Sequence, residues 1–192
     1  MRAQRRQASG QEMVPPVIGR AMRLGAAACF GVVLGGCVSA PRDGALLTVP
    51  FREQRAGYCG VVALAMVADY YGTALPEEAL AHAYVPALGG TIPDLLAEAA
   101  GSARLKARVR RGTMDEIQDW LERGIPAIVL LDGERRRAPG HFVVLTGMSR
   151  DGRWVRTHSG ERPNQWAKAR LFERQWREAG SLAVLIERRS GE

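Results

Sequence analysis

The amino-acid sequence predicts an α+β fold in which helices from the first part of the domain pack on an antiparallel sheet. Two patterns indicate this fold. Segments with helical composition come first, and apolar or alternating segments come mostly afterwards, with a glycine-containing turn at 149–152 between two of them. Helices and strands that are segregated along the chain are typical of α+β domains, and a short turn between strands makes an antiparallel pair.

The composition is that of an ordinary globular protein. The 192 residues are 46% hydrophobic and 24% charged, which suits one domain with its own core. The net charge is +7, but residues 1–36 hold five arginines and one acid, so the rest has 22 basic and 19 acidic residues. This mild excess predicts no nucleic-acid partner. We interpret the one dense basic run, Arg135–Arg137, as a solvated loop.

Residues 1–36 have the pattern of a secretory signal of the lipoprotein type. Arg23 precedes an uncharged, mostly apolar run over 24–34 that is too short to span a bilayer as a helix. The run ends in Leu34-Gly35-Gly36-Cys37, which resembles the bacterial lipobox. That resemblance implies a lipid on Cys37 and a mature N-terminus there, followed by a linker that extends to residue 45 and a domain at 46–192. We hypothesise that translation starts at Met22 or Met13.

A lipid on Cys37 would anchor the protein to a membrane of the bacterial cell envelope, facing the periplasm. The residues after the cysteine are Val38-Ser39. They lack an Asp of the kind that resembles an inner-membrane retention signal, so the outer membrane is the expected location.

Five helices are predicted. The first, 59–71, reads CGVVALAMVADYY, is nearly free of charge and therefore buried, and Gly72 is placed to end it. The helix at 113–123 begins with Thr113 and Glu116, the pattern of a capping box. The others are expected at 76–84, 91–100 and 169–178.

Six strands are predicted from short apolar or alternating runs. The run RLKARV alternates as a half-buried strand does, whereas IPAIVLL and GHFVVLTGM read as buried strands. Their expected ranges are 46–51, 104–109, 125–131, 140–148, 153–158 and 181–187.

Cys59 is the candidate nucleophile. Once Cys29 leaves with the signal and Cys37 is lipidated, Cys59 is the one free thiol of the chain. It opens the buried helix, where the partial positive charge of a helix N-terminus favours a thiolate. Gly60 beside it would leave room for a substrate backbone. The alternative is a buried structural cysteine.

His141 is the candidate general base. It begins an apolar strand directly after Gly140. A histidine at the end of a strand can reach a thiol on a neighbouring helix and take its proton.

Two blocks of sequence resemble a known family. The segment 54–72, QRAGYCGVVALAMVADYYG, is similar to the Q-x-x-x-x-C-G-x-x-x-L-x-M-x-x-x-Y-Y-G block of the bacteriocin-processing, double-glycine-leader peptidases, and GHFVVLTG at 140–147 is similar to their H-[FY]-V-V-L block. The resemblance covers about 46–187. It implies a papain-like cysteine peptidase that acts on a peptide or protein without cofactor or metal. Gln54 and the Cys59 backbone N–H would then form the oxyanion hole.

One departure from the family pattern bears on activity. The family usually has an Asp on the strand that follows the histidine, whereas this chain reads Arg156-Thr157-His158-Ser159-Gly160 there. Either His158 or Ser159 is then the candidate that orients His141. A neutral partner stabilises an imidazolium less than a carboxylate does, so reduced or altered activity is expected.

Two other functions stay open at this stage. A non-catalytic peptide-binding or scaffolding lipoprotein could retain the fold without the acidic residue. Cys59, His141 and His158 could instead hold a metal ion, although the sequence has no closely spaced pair of ligands.

Overall fold

The structure, a computed structural model, describes residues 44–132 and 140–189. The predicted signal peptide, Cys37, the linker up to residue 43 and the basic run Arg135–Arg137 lie outside the described residues. Within the described part, seven strands form one antiparallel sheet, and there are five α-helices and a short 3-10 helix. This arrangement confirms the predicted α+β fold. The elements are β1 Gly44–Leu46, α1 Cys59–Tyr70, α2 Glu77–Ala83, α3 Pro93–Ser102, β2 Leu105–Arg111, α4 Met114–Glu122, β3 Ala127–Leu131, β4 His141–Ser149, β5 Trp154–Ser159, β6 Arg162–Lys168, α5 Ala169–Glu178 and β7 Leu182–Arg188.

The sheet has the strand order β2-β7-β3-β4-β5-β6. β4 lies inside it, between β3 and β5, with Leu131 opposite His141 and Val144 opposite His158. β3 begins at Ala127, opposite Leu145, so β1 takes the free edge of β4 beyond that point. One end of β4 therefore carries His141, and the other end lies beside Gly44.

The alternation of side chains along the strands divides the core between two faces. On one face, Ile128 of β3 and Val144 of β4 pack with α1, α2 and α3. On the other face, Val129 and Val143 pack with α4 and α5. The helices thus cover both faces of the sheet. α1 lies against the face that carries Phe142 and Val144, and its N-terminus is near the start of β4.

The sequence signals for α1 and α4 match the structure. α1 buries Leu64, Met66 and Val67 completely, as its nearly uncharged sequence predicts. It ends before Gly72, whose φ is +67° and would strain any other residue. Thr113 and Glu116 form the capping box, each side chain accepting a hydrogen bond from the other residue's backbone N–H.

Two strand predictions need correction. The strand expected at 46–51 is β1 at Gly44–Leu46; beyond Leu47, whose N–H still donates to Thr146 O at 2.8 Å, the chain leaves the sheet. β3 already occupies the rest of that edge of β4, and Pro50 has no N–H to pair. β6, Arg162–Lys168, was not expected because its sequence is polar and contains Pro163, which an edge strand tolerates.

Across the described ranges, none of the helices combines the length and the apolar character that crossing a bilayer requires.

Candidate active site

Cys59 is the first residue of α1 and is partly exposed. The first N–H groups of a helix have no partner within the helix, so its N-terminus is electropositive. A second donor adds to this field: the backbone N–H of Phe142 points at the Cys59 Sγ at 3.5 Å. Phe142 directly follows His141, so the N–H that contacts the Cys59 sulfur belongs to the peptide bond between His141 and Phe142. Both donors favour a negatively charged sulfur.

Gln54 is buried, and its side chain joins three segments. Its Nε2 donates to Cys59 O at 2.9 Å and to Phe142 O at 3.2 Å, and its Oε1 accepts from Gly160 N at 2.8 Å. The backbone N–H of Gln54 also donates to Gly160 O at 2.9 Å. One amide side chain therefore fixes the start of α1, the start of β4 and the turn after β5 with respect to each other.

The orientation of the Gln54 amide bears on its predicted oxyanion role. Because Oε1 accepts from an N–H, the two amide hydrogens must be on the side of the two carbonyls. Both hydrogens therefore have acceptors, the more distant being Phe142 O at 3.2 Å. An oxyanion would have to compete for the hydrogen of this longer bond, so the oxyanion role of Gln54 stays a prediction.

Ser159 meets the imidazole of His141. Its Oγ lies 2.9 Å from His141 Nε2, and Nδ1 has no hydrogen-bond partner among the described residues. Burial lowers the pKa of His141 below its usual range, so the ring is neutral near neutral pH. With the proton on Nε2, the ring donates to Ser159 and keeps a lone pair on Nδ1 for accepting a proton.

Gln54, Cys59 and His141 line one cavity of about 340 Å³, which we call the Cys59 cleft. Its walls come from the loop before α1, from Leu88–Thr91 and from the facing ends of β3 and β4. A cavity of about 460 Å³ also lies between β1 and α4, but neither a cysteine nor a histidine lines it. The cleft is thus where the structure brings the candidate nucleophile and base together.

Gly60 does not have the role that the sequence suggested. It is buried, and a Cβ there would lie 2.3 Å from Thr91 Cγ2 and 2.9 Å from Phe142 Cδ2. The space beside Gly60 is therefore filled by two side chains and is not open to a substrate. The glycine lets α1 pack closely against the start of β4, which brings Cys59 within reach of the Phe142 N–H.

His158 is the second correction. Its side chain is 1% exposed, its Nε2 lies 2.9 Å from Val49 O, and its Nδ1 accepts from Asn164 N at 3.1 Å. Both ring nitrogens are committed to backbone groups away from His141, so the structure leaves Ser159 as the residue that contacts the imidazole. The metal hypothesis fails for the same reason, and the described part of the chain contains no group of three or more potential metal ligands.

Sequence reasoning missed two features of the site. The Phe142 N–H is a backbone donor that any residue after His141 would supply, so no side-chain signal marks it. Gly160 lies in the turn from β5 to β6 and has φ +59°. Its N–H donates to the Gln54 side chain, and its carbonyl accepts from the Gln54 backbone N–H. The sequence shows the Ser159-Gly160 pair, but it does not show that Gly160 bonds to the distant Gln54.

A family model described as the Peptidase C39 family matches residues 49–190. No curated protein matches the chain significantly.

Solved structures share the fold. A C39-like peptidase from Bacillus anthracis has a TM-score of 0.63 at 18% identity, covering 78% of this chain and 100% of its own. A double-glycine-motif protease from an AMS/PCAT transporter, solved with its leader peptide, has 0.59 at 22% identity, covering 77% and 96%. The peptidase domain of Streptococcus ComA, a bifunctional ABC transporter, has 0.58 at 21% identity, covering 76% and 99%. At these identities the likeness concerns the fold.

The buried histidines make stability depend on pH. Burial is the main cause that lowers the pKa of both His158 and His141, so the unfolded chain binds protons at a higher pH than the folded one. The contribution of these groups is complete above about 6.5, the pKa of a free imidazole, and declines as the pH falls below it. We expect the free energy of unfolding to fall between about pH 7.5 and 5.5, by at most about 1.4 kcal/mol per pH unit for each histidine.

Urea unfolding across that range measures this effect. Replacing His158 by Gln is expected to reduce the slope, whereas replacing His82, whose side chain is 63% exposed, is the matched control and is expected to preserve it. A free energy of unfolding that does not change over the range would contradict the prediction.

Proposed function

The chain belongs to the peptidase C39 family, and we propose that it is a membrane-anchored cysteine peptidase in which Cys59 is the nucleophile and His141 the general base. The observation that supports this most directly is the Cys59 cleft itself. It brings together a thiol at a helix N-terminus and an imidazole whose Nδ1 has no partner in the described part of the chain, with Ser159 on the opposite ring nitrogen.

The proposed reaction has two steps. His141 Nδ1 takes the Cys59 proton as the sulfur attacks the peptide carbonyl, and the same proton then protonates the departing amine as the C–N bond breaks. Water then attacks the thioester, giving its proton to His141, and the released thiolate recovers that proton. The N–H groups at the start of α1 are oriented to stabilise the tetrahedral oxyanion, and Gln54 contributes if its bond to Phe142 O is exchanged for the oxyanion.

The state before attack differs from a thiolate–imidazolium pair held by a carboxylate. Burial disfavours the imidazolium, and Ser159 offers a hydroxyl in place of a negative charge. The neutral imidazole is therefore the expected resting form of His141, with proton transfer coupled to attack. This predicts a slower enzyme than one with a carboxylate in the same place.

The cleft suits an extended, flexible peptide. Gly57, Gly89 and Gly90 contribute backbone to its wall, and Gly57 is so close to the neighbouring loop that a Cβ would lie 2.7 Å from Gly89 O. Exposed backbone at a cleft wall can pair with a peptide backbone. A fold relative was solved with a leader peptide bound, which supports a peptide substrate for this chain.

Two observations favour the alternative, a peptide-binding module without turnover. Ser159 stands where a carboxylate would stabilise the imidazolium, and both Gln54 amide hydrogens already have acceptors. A module of this kind would bind peptide in the same cleft but would not need His141 as a base.

The reaction of Cys59 with a peptide-based electrophile distinguishes the two functions. We expect labelling that is abolished in Cys59→Ala and slowed by about 10²-fold or more in His141→Ala, since general-base catalysis contributes about 10²–10⁴. His82→Ala is the matched control and is expected to label at the wild-type rate. A labelling rate that does not depend on His141 would favour the binding module.

Ser159 is proposed as a positioning residue, and it has its own test. Ser159→Ala is expected to lower kcat/KM by about 2- to 10-fold, the value of one hydrogen bond. Ser159→Asp is expected to raise the pKa of His141, because a carboxylate favours the imidazolium. NMR titration of the imidazole carbons measures this shift. Ser102→Ala, which removes a hydroxyl that bonds Ala99 O in α3, is the control. An unchanged His141 titration in Ser159→Asp would refute the contact.

The membrane anchor is proposed from the lipobox-like segment that ends at Cys37. Cys37→Ala is expected to move the protein from the membrane fraction to the soluble fraction. Cys29→Ala changes a thiol within the same signal sequence and is expected to leave the protein in the membrane fraction. Retention of Cys37→Ala in the membranes would contradict lipidation at this residue.

A further inference from the structure

The sheet has two functionally different ends. The catalytic end holds His141 at the start of β4 and Ser159 at the end of β5. The anchor end, as we call the opposite one, holds Gly44, which pairs with Ser149 at the end of β4. Eight residue steps of β4 separate His141 from Ser149, which corresponds to about 27 Å at the rise of a strand.

The proposed lipid on Cys37 lies a short way along the chain from the anchor end. Seven residue steps join Cys37 to Gly44, and a fully extended chain of that length spans at most about 25 Å. If the domain were inverted, with the cleft against the membrane, Gly44 would stand about 27 Å above the surface. The linker would reach that height only if it were almost fully extended, and holding it so costs conformational entropy, so the tether disfavours this arrangement.

Basic side chains cluster at the same end. Arg150 and Arg153 flank the turn between β4 and β5, and Lys168 pairs with Trp154 across β5 and β6. Arg170 follows in the first turn of α5, whose Ala169 N–H donates to Arg153 O. We call these four residues the basic cluster.

Acidic side chains offset the basic cluster only in part: Glu122 lines a cavity with Arg150, and Glu173 lies beside Arg170 on α5. Arg153 is 81% exposed and forms a loose ion pair with Asp151 at 3.7 Å. The other three basic residues form no ion pair with any described residue. Exposed, unpaired cations of this kind attract an anionic surface within a Debye length of about 10 Å.

We propose that the basic cluster docks on anionic phospholipid headgroups of the membrane that carries the anchor, and so holds the Cys59 cleft away from the bilayer. The proposal rests on the proposed lipidation of Cys37. Juxtamembrane basic residues bind anionic lipid surfaces, so the lipid would attach the domain at one point and the basic cluster would set which end faces the bilayer. The sheet then acts as a spacer, and the cleft faces peptides in the aqueous compartment.

Fluorescence quenching in vesicles tests the orientation. The mature lipidated protein with Cys59→Ser is labelled at Glu122→Cys, beside Gly44 and Arg150 at the anchor end, or at Leu88→Cys, on the cleft wall. The vesicles contain phosphatidylglycerol and a lipid with a nitroxide on its headgroup. We expect several-fold stronger quenching at position 122 than at 88. Equal quenching, or stronger quenching at 88, overturns the proposal.

Charge reversal tests the role of the basic cluster. Arg153→Glu with Lys168→Glu is expected to reduce the quenching difference. The matched control is Arg174→Glu with Arg177→Glu, at the far end of α5, where Gln175 O accepts from Asp132 N after β3. The control is expected to keep the difference. A difference that survives reversal of the basic cluster, or that the control removes equally, overturns the headgroup contact.

The outcomes separate this inference from the function on which it rests. Mass spectrometry that finds no lipid on Cys37 overturns both the anchor and the orientation. A lipidated protein with the wrong quenching order overturns the orientation alone. Neither result alters the labelling of Cys59 by a peptide electrophile, which reports the peptidase chemistry.

Discussion

The site depends on one buried amide. Gln54 bonds the carbonyls of Cys59 and Phe142 and clasps Gly160 through its side chain and its backbone. Cys59 is the proposed nucleophile, and Phe142 follows the proposed base, His141. Gly160 follows Ser159, which contacts the imidazole. A buried amide that lost such partners would leave several polar groups unsatisfied, at a cost of about 1–3 kcal/mol each. The same bonds therefore stabilise the local fold and set the separation of thiol and imidazole.

Electrostatics distinguishes this site from one built around a carboxylate. Two donors, the start of α1 and the Phe142 N–H, favour a negative sulfur. Burial and a neutral Ser159 disfavour a positive imidazole. The structure therefore supports a negative charge on the sulfur more than it supports a positive charge on the imidazole.

The antiparallel sheet separates the candidate site from the start of the described domain, because the two lie at opposite ends of β4. β4 runs the length of the sheet, so its first and last residues lie at opposite ends of the domain. Gly44, where the linker joins, is at one end, and the cleft opens at the other. Charge is distributed accordingly, since the basic cluster lies at the linker end. The proposed attachment and the proposed catalysis therefore use opposite ends of the same strand.

The sequence by itself determined the local elements and identified the candidate nucleophile and the candidate base. The apolar run after Cys59 specified a buried helix, Thr113 and Glu116 specified a cap, and the two family-like blocks pointed to Cys59 and His141, because these signals depend on neighbours within one turn or one strand. β6 escaped prediction because an edge strand needs no apolar pattern. Only the tertiary structure decided between His158 and Ser159, filled the space beside Gly60, and gave Gln54 its partner at Gly160. Adjacent residues of a strand point to opposite faces, so His158 and Ser159 cannot both point toward His141, and the sequence does not tell which of them does. Which of them meets His141 depends on the pairing of β4 with β5, a contact between residues distant in the chain.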